Sequence, residues 1–250
     1  MTNLEKVLAN TIGAFQRAGG ATRQICCIQA STPWDLHLSI TLADEVMIIR
    51  HVRQGDEELL HRFRDELSQR SRELFCPYPW DQSNKLASAL SSAVQNAVQR
   101  RDFSCLMLVN DRPIGHFFLW QAGQHHHANN DGLHVPELGV AISDAYQQRG
   151  LGCLAVHIMQ AVARDLRHDA IELTTALNNK GGWQTYLKAG FTSVGMIRNP
   201  LGVDVTAVAH GSATTETYRT ERQMVYIICE AKRQAILAYL EKKRNAFQSI

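Results

Sequence analysis

No stretch of this chain is long and apolar enough to cross a bilayer, and the opening residues, with Glu5 and Lys6 among them, hold no extended apolar run. Charge of one sign is also lacking: 26 Lys and Arg against 24 Asp and Glu leave a net charge of +2, spread along the chain, which gives no electrostatic footprint for nucleic acid. The six cysteines, Cys26, Cys27, Cys76, Cys105, Cys153 and Cys229, show no C-x-x-C spacing and mostly stand in apolar contexts, where a thiol packs as a small hydrophobe. These absences point to a soluble cytoplasmic protein with reduced thiols and without membrane or nucleic-acid partners. His125, His126 and His127, with His134 nearby, invite a metal reading. Adjacent side chains cannot all face one ion, however, and no Cys or acidic residue stands beside them at zinc-site spacing, so a polar loop and no metal are expected.

What is present is apolar material enough for a sizeable core, 45% of 250 residues. Leu4, Val7, Leu8, Ile12 and Phe15 repeat at helical spacing up to Gly19-Gly20. Residues up to about 45 carry no chemistry that the pattern reveals and read as an N-terminal appendage (1–45). A strand is expected over Val46 to Val52. A helix with Leu59, Leu60, Phe63 and Leu67 on one side follows, opened by Asp56, Glu57 and Glu58, and after a break comes a second from Asp81 to Arg100. Phe103 to Val109 and Pro113 to Gln121 read as a hairpin turned by Asn110-Asp111-Arg112. The last segment, 230–250, is an amphipathic helix that either packs on the core or forms half of a homodimer contact.

The informative stretch is Gln147-Gln148-Arg149-Gly150-Leu151-Gly152, between an apolar strand from Glu137 to Ile142 and an amphipathic helix from Leu151 to Leu166. Glycines at 150 and 152 let the backbone turn sharply and approach a ligand, and the unpaired N–H groups that open the next helix carry partial positive charge. Such a turn suits a pyrophosphate. It has no Lys-Ser/Thr pair after its last glycine and no G-x-G-x-x-G spacing, which argues against nucleotide hydrolysis and hydride transfer. Downstream, Asn179-Lys180-Gly181-Gly182-Trp183-Gln184-Thr185-Tyr186-Leu187-Lys188-Ala189-Gly190-Phe191 follows a helix and a strand. In order and spacing the two motifs resemble the Q-x-x-G-x-G and N-x-x-A-x-x-L-Y-x-x-x-G-F signatures of the GNAT superfamily of N-acyltransferases. Gly182 and Thr185 depart from the pattern, which usually has Ala and Leu there.

The resemblance implies an α/β GNAT fold over residues 46–229, a mixed and mostly antiparallel sheet with helices on both faces. It also implies acetyl-CoA as acyl donor and an amine as acceptor. Gln147, Gln148, Arg149, Gly150, Leu151 and Gly152 would hold the pyrophosphate. The strand amides of Val140, Ala141 and Ile142 would bond the pantetheine arm and polarise the thioester, because in this fold that strand bulges and splays from its parallel neighbour. Asn179 would cap the second motif's helix and bond the donor.

Glu137, opening an otherwise apolar strand, is the candidate base: partial desolvation raises a carboxylate's pKa toward neutrality. A solvated strand-start carboxylate or a structural ion pair is the alternative. Tyr186 holds the signature's tyrosine position and is the candidate acid, protonated at neutral pH. Cys153 is read as packing, because direct transfer needs no acyl-enzyme. For the acceptor, the segment Leu74 to Trp80, the insertion Ala122 to His134 and the connection Asn199 to Thr215 are expected to wall the pocket, with Tyr78 and Trp80 offering flat apolar surfaces. Those two aromatics equally suit a plug sealing the core. A small amine or amino sugar is the leading acceptor, a protein amine the alternative; a non-catalytic acyl-CoA-binding module is the reading from another class.

Overall fold

A computed structural model describes residues 2–19, 23–42, 44–123, 131–200 and 218–248. Its sheet has nine strands: β1 (Arg23–Gln29), β2 (His37–Leu42), β3 (Glu45–His51), β4 (Phe103–Val109), β5 (Arg112–Trp120), β6 (Glu137–Ile142), β7 (Ala170–Ala176), β8 (Thr192–Pro200) and β9 (Tyr218–Ile227). Their spatial order is β1-β2-β3-β4-β5-β6-β7-β9-β8, antiparallel throughout except between β6 and β7. The helices are α1 (Asn3–Gly19), α2 (Glu57–Asp65), α3 (Gln69–Leu74), α4 (Ser83–Val98), α5 (Leu151–Asp165), α6 (Lys180–Lys188) and α7 (Arg233–Gln248).

Alternation along the strands divides the side chains between two faces. On one face Leu138, Ile142, Ile171, Leu173 and Met224 join α1, α5 and Tyr186 of α6 in the main core. On the other, α2 and α4 cover β4 and β5 through Leu60, Leu86, Leu90 and Leu106, and α7 covers β7 and β9 by seating Ile236 and Leu240 against Leu133, Ala170 and Val225. The terminal helix therefore packs on its own sheet.

Several expectations change on contact with the structure. Residues 23–42, which carried no pattern, supply two strands that continue the sheet. The break before α4 contains α3, which buries none of its own residues and is held from outside: Asp144 accepts from Ser68 N at 2.8 Å, Ser68 Oγ at 2.9 Å and Ser71 Oγ at 2.9 Å. No bulge interrupts β6, whose register with β5 runs unbroken from Trp120↔Glu137 to Gly115↔Ile142. His125, His126 and His127 lie outside the described residues, as does most of the connection from Asn199 to Thr215.

Tyr78 and Trp80 do not wall a pocket; they seal the core. They are 6% and 3% exposed, pack edge to face at 5.1 Å, and have their polar ends satisfied internally. The Tyr78 hydroxyl lies 3.0 Å from Nε2 of buried His116, and Trp80 Nε1 donates to the Phe75 carbonyl at 2.6 Å. Burial pulls the His116 pKa down to about 4, so the ring stays neutral against that hydroxyl. Trp80→Ala is therefore expected to destabilise the fold by ~3–5 kcal/mol, read as a lower melting temperature, while the ratios of KM between acceptor amines stay unchanged. Altered ratios at an unchanged melting temperature would return Trp80 to the pocket wall.

Candidate active site

The site begins where the sheet comes apart. β6 and β7 pair in parallel at one position only, Glu137↔Glu172, where Glu172 N donates to the Pro136 carbonyl at 3.0 Å. Beyond it the strands diverge. Ser143 N donates to Ile114 O of the β5 side at 2.8 Å, so by alternation the amides of Ala141 and Gly139 also point at β5, and those of Val140 and Ile142 point into the gap. The gap thus offers two strand amides with no ladder partner, and Ala141 contributes its methyl to a packing cluster with Phe63 and Leu67 instead.

At the far end of β6 a 3-10 turn, Asp144–Tyr146, leads into the glycine loop. Gln148 and Gly150 both take left-handed backbone, at φ 59° and 82°, the second with a glycine's ease. Gly150 then caps α5, whose first internal bond is Leu154 N to Gly150 O at 3.0 Å. The amides of Leu151, Gly152 and Cys153 consequently open the helix unspent, an anion site by geometry and dipole. A Cβ placed on Gly152 would meet only Thr185 Cγ2, at 3.8 Å, so the space before these amides is open. An anionic, amide-bonding group of the coenzyme A type fits both the gap and this loop.

Gln147 is committed within the protein. Its side-chain nitrogen donates to Ile142 O at 3.0 Å and to Ser71 Oγ at 3.4 Å, latching the loop to the end of β6. Arg149 is exposed and lies over the Tyr146 ring at 4.8 Å, so its charge stands at the loop's mouth. Asn179 caps α6, accepting from Gly182 N at 3.0 Å, and donates to Thr175 Oγ1 at 3.2 Å. A Cβ on Gly182 would lie 2.5 Å from the Asn179 carboxamide, the movable end of a flexible side chain, so the structure gives no reason for glycine in place of the signature's alanine. The other departure, Thr185, bonds back to the Gly181 carbonyl at 3.0 Å. Cys153 is more than packing: half-exposed, its thiol is pulled below the usual range by a hydrogen bond from His157, one turn on.

On the acceptor face Glu137, Glu172 and Glu221 share one neighbourhood. Burial pushes the Glu137 pKa up, Lys243 opposes that, and Glu172 and Glu221 add to it. Its side chain still keeps 38% exposure, opening on the cleft, whereas that of Glu172 keeps 3%. Beside them lies an aromatic floor. Phe118 and Trp120 stack at 4.6 Å, Trp120 pairs across the sheet with Glu137, and Gly139 leaves room for the Phe118 ring, which would lie 2.2 Å from a Cβ there. Arg219 reaches from β9 to Glu221 and to the Glu73 carbonyl, strapping β9 to α3. Tyr186 is 8% exposed and its hydroxyl has no hydrogen-bond partner among the described residues; burial, then the charge of Glu221, pushes its pKa up to about 12.

Sequence reasoning gave no role to Glu172, Glu221, Lys243 or Arg23. For Glu172 the signal was the one that singled out Glu137, a carboxylate inside an apolar strand; Glu221, between Arg219-Thr220 and Arg222-Gln223, carried no such signal. For Arg23 no local signal exists. Its guanidinium donates to the Phe15 carbonyl at 3.0 Å and to the Arg149 carbonyl at 2.6 Å, bracing the glycine loop from the N-terminal segment.

The GNAT acetyltransferase domain family matches residues 47–192 of the chain. Among solved structures, a GNAT-family acetyltransferase from Streptococcus pneumoniae is 19% identical over 73% of this chain and 99% of its own, with a TM-score of 0.51. A ribosomal-protein-S5-alanine acetyltransferase from Vibrio fischeri is 10% identical over 72% and 92%, with a TM-score of 0.55. A ribosomal L7/L12 alpha-N-protein acetyltransferase in complex with coenzyme A is 11% identical over 73% and 94%, with a TM-score of 0.54. No curated protein sequence matches the chain. Among the described residues no helix is long and apolar enough to cross a membrane, and no group of side chains is arranged to hold a metal ion.

Coenzyme A is expected to raise the melting temperature, since a ligand that binds only the folded state stabilises it. Gly152→Asp, which sets a carboxylate before the free amides, should abolish that shift. Arg23→Ala should weaken coenzyme A binding about tenfold by loosening the loop, on the order of one charged hydrogen bond. A full shift in Gly152→Asp would move the donor site elsewhere.

Proposed function

The chain belongs to the GNAT acetyltransferase family and is an N-acetyltransferase that uses acetyl-CoA as donor; from that premise we propose that it moves the acetyl group directly to a primary amine of a small molecule, with Glu137 as base and Tyr186 as acid. The observation that carries this reading is the divergence of β6 from β7 beyond Glu137↔Glu172, which leaves strand amides on the donor side and a carboxylate on the acceptor side of one gap. The amides of Leu151, Gly152 and Cys153 would hold the donor's pyrophosphate, with Arg149 as added charge. Those of Val140 and Ile142 would hold its arm and thioester carbonyl. What the donor supplies is an activated acetyl thioester.

Glu137 then does the work of a base. An acceptor amine arrives protonated at neutral pH, and a carboxylate with its pKa raised by burial takes that proton more readily than an ordinary one. Tyr186, with its pKa pushed up to about 12, stays protonated across the working range and has a free hydroxyl to donate to the departing sulfur. The strap from Arg219 to Glu73 on one side and α7 on the other narrow the acceptor end, which favours a small amine over an extended polypeptide. The half-buried Trp120, cross-strand neighbour of Glu137, suits the flat or apolar part of such a molecule. Cytoplasmic location and a GNAT N-acetyltransferase domain over 46–229, whose sheet and core are extended by residues 1–45 and covered by the C-terminal helix (230–250), complete the reading.

A panel of amines, amino sugars and short peptides, read by release of free coenzyme A and by product mass, tests it. Small amines should be acetylated; exclusive acetylation of peptide N-termini or lysines would replace this acceptor class with a protein. Glu137→Gln should lose activity at neutral pH and recover part of it as pH rises and free amine becomes abundant. Tyr186→Phe should lower kcat by ~10²–10⁴-fold with coenzyme A affinity nearly intact. Wild-type rates across pH in Glu137→Gln would leave that residue a structural role only.

A further inference from the structure

The C-terminal helix lies outside the segment matched by the GNAT family, 47–192, yet it reaches the base. Ile236 and Leu240 anchor α7 to the sheet, and the same side of the helix carries Tyr239 and Lys243, one turn apart. Lys243 Nζ lies 3.0 Å from Glu172 Oε1 and 3.8 Å from Glu137 Oε2. Glu172 is held independently of Glu137: Tyr239 OH donates to its Oε1 at 3.3 Å and Gln223 Nε2 to its Oε2 at 3.3 Å, while Arg244 in turn donates to Gln223 Oε1 at 2.9 Å. The lysine thus has a fixed partner on one side and the candidate base on the other.

That arrangement answers a physical problem. Glu137 and Glu172 are neighbours across the parallel pair β6 and β7 and point to the same face, so two carboxyl groups stand at close range in a poorly solvated place. Two such carboxylates do not both stay ionised without a cation between them. Among the described residues, the charged and titratable groups that face Glu137 are Glu172 from β7 and Glu221 from β9, which oppose its charge, and Lys243 of α7, which supports it, with Tyr239 of α7 alongside. Desolvation works against the ammonium of Lys243, but Glu172 and then Glu137 outweigh it, and its pKa lies above that of an ordinary lysine.

We propose that Lys243 is a positioning residue for the acetyl-transfer base: its ammonium, pinned by Glu172 and Tyr239, orients the Glu137 carboxylate toward the cleft and keeps it in the proton-accepting form. The C-terminal helix is thereby part of the active centre. In its catalytic consequence this rests on the reading of Glu137 as base, but the hold of Lys243 on Glu137 is measurable without it.

The test is a carboxyl-carbon NMR titration of the full chain labelled at glutamate, with Glu137→Gln assigning the resonance. Lys243→Met should raise the Glu137 midpoint by about one to three pH units, the loss expected when an opposite charge a few ångströms away is removed, and Lys243→Arg should restore it. Tyr239→Phe, which loosens the pin, should move it the same way by less, and this variant decides the matter if Lys243→Met does not fold. In parallel, the acid limb of kcat/KM, read with benzylamine and glucosamine as probe amines, should shift upward with the midpoint, with activity recovering at high pH. A merely structural lysine would lower the melting temperature and reduce rates equally at every pH. An unmoved Glu137 midpoint in Lys243→Met, or in Tyr239→Phe where the first cannot be read, overturns the proposal. A moved midpoint with wild-type rates in Glu137→Gln would instead uphold the lysine's role and discard Glu137 as base.

Discussion

Everything distinctive in this protein follows from two strands that pair at one residue and then separate. A sheet satisfies its backbone by laddering each strand to its neighbours, and an unladdered amide inside a fold is costly unless something else accepts its proton. β6 is fully laddered to β5 on one side, so its alternate amides at Val140 and Ile142 have only the gap to face. A group that accepts hydrogen bonds along a line, as a pantetheine amide chain does, completes the sheet there. The glycine loop at the end of the same strand is the continuation of that logic, since it turns the chain so that the unspent amides of α5 extend the row of donors from the gap to an anion.

The same divergence sorts chemistry between the two faces. Leu138, Val140 and Ile142 turn their side chains to the core under α5, while Glu137, Gly139 and Ala141 turn theirs to the opposite face. The unladdered amides and the Glu137 carboxylate are therefore carried on one short strand, separated by the pleat. Placing carboxylates there has a cost, because Glu137, Glu172 and Glu221 crowd a place where water is thin. The fold offsets it from outside the family segment: Lys243 arrives on α7 and Arg219 on β9, each bonded to one of the glutamates. The N-terminal segment does the corresponding work on the donor side, where Arg23 ties α1 to the carbonyl of Arg149.

How much of this was legible depended on how local its cause is. β6, α5 and α6 were read nearly to the residue, because each is announced by its own periodicity and by glycines or an Asn cap within a few positions. The hairpin of β4 and β5 was equally plain: Asn110 and Asp111 adopt the left-handed backbone that a two-residue turn demands. β1 was not legible, since an edge strand with exposure alternating irregularly through Ile25, Cys26, Cys27 and Ile28 is defined by its ladder to β2 rather than by its own pattern. α3 was not legible because it is one short turn and a half that buries none of its residues, and its cap Ser68 is held in place by Asp144, 76 residues downstream. At the candidate site, Glu137 and the loop were legible as local patterns, but the aromatic pair was ambiguous. Tyr78 and Trp80 look alike in sequence whether they face a ligand or a buried histidine, and only the neighbour His116, on a distant strand, decides it.

The two departures from the family signature carry the same lesson in reverse. In isolation Gly182 weakens a helix. α6 begins at Lys180, directly after its cap, because the Asn179 carboxamide folds over the first turn and accepts from the Gly182 amide. A propensity cost spread over the helix is offset by a local hydrogen bond at its start, and such a cap is worth about as much as the glycine loses, roughly 1 kcal/mol each. The helix that presents Tyr186 is thus set by its cap, with Thr185 tied back to Gly181, and the tyrosine reaches the core beside Phe191 at a fixed height above the gap. A departure that weakens the motif's helix in isolation is met, at the level of atoms, by the cap that precedes it.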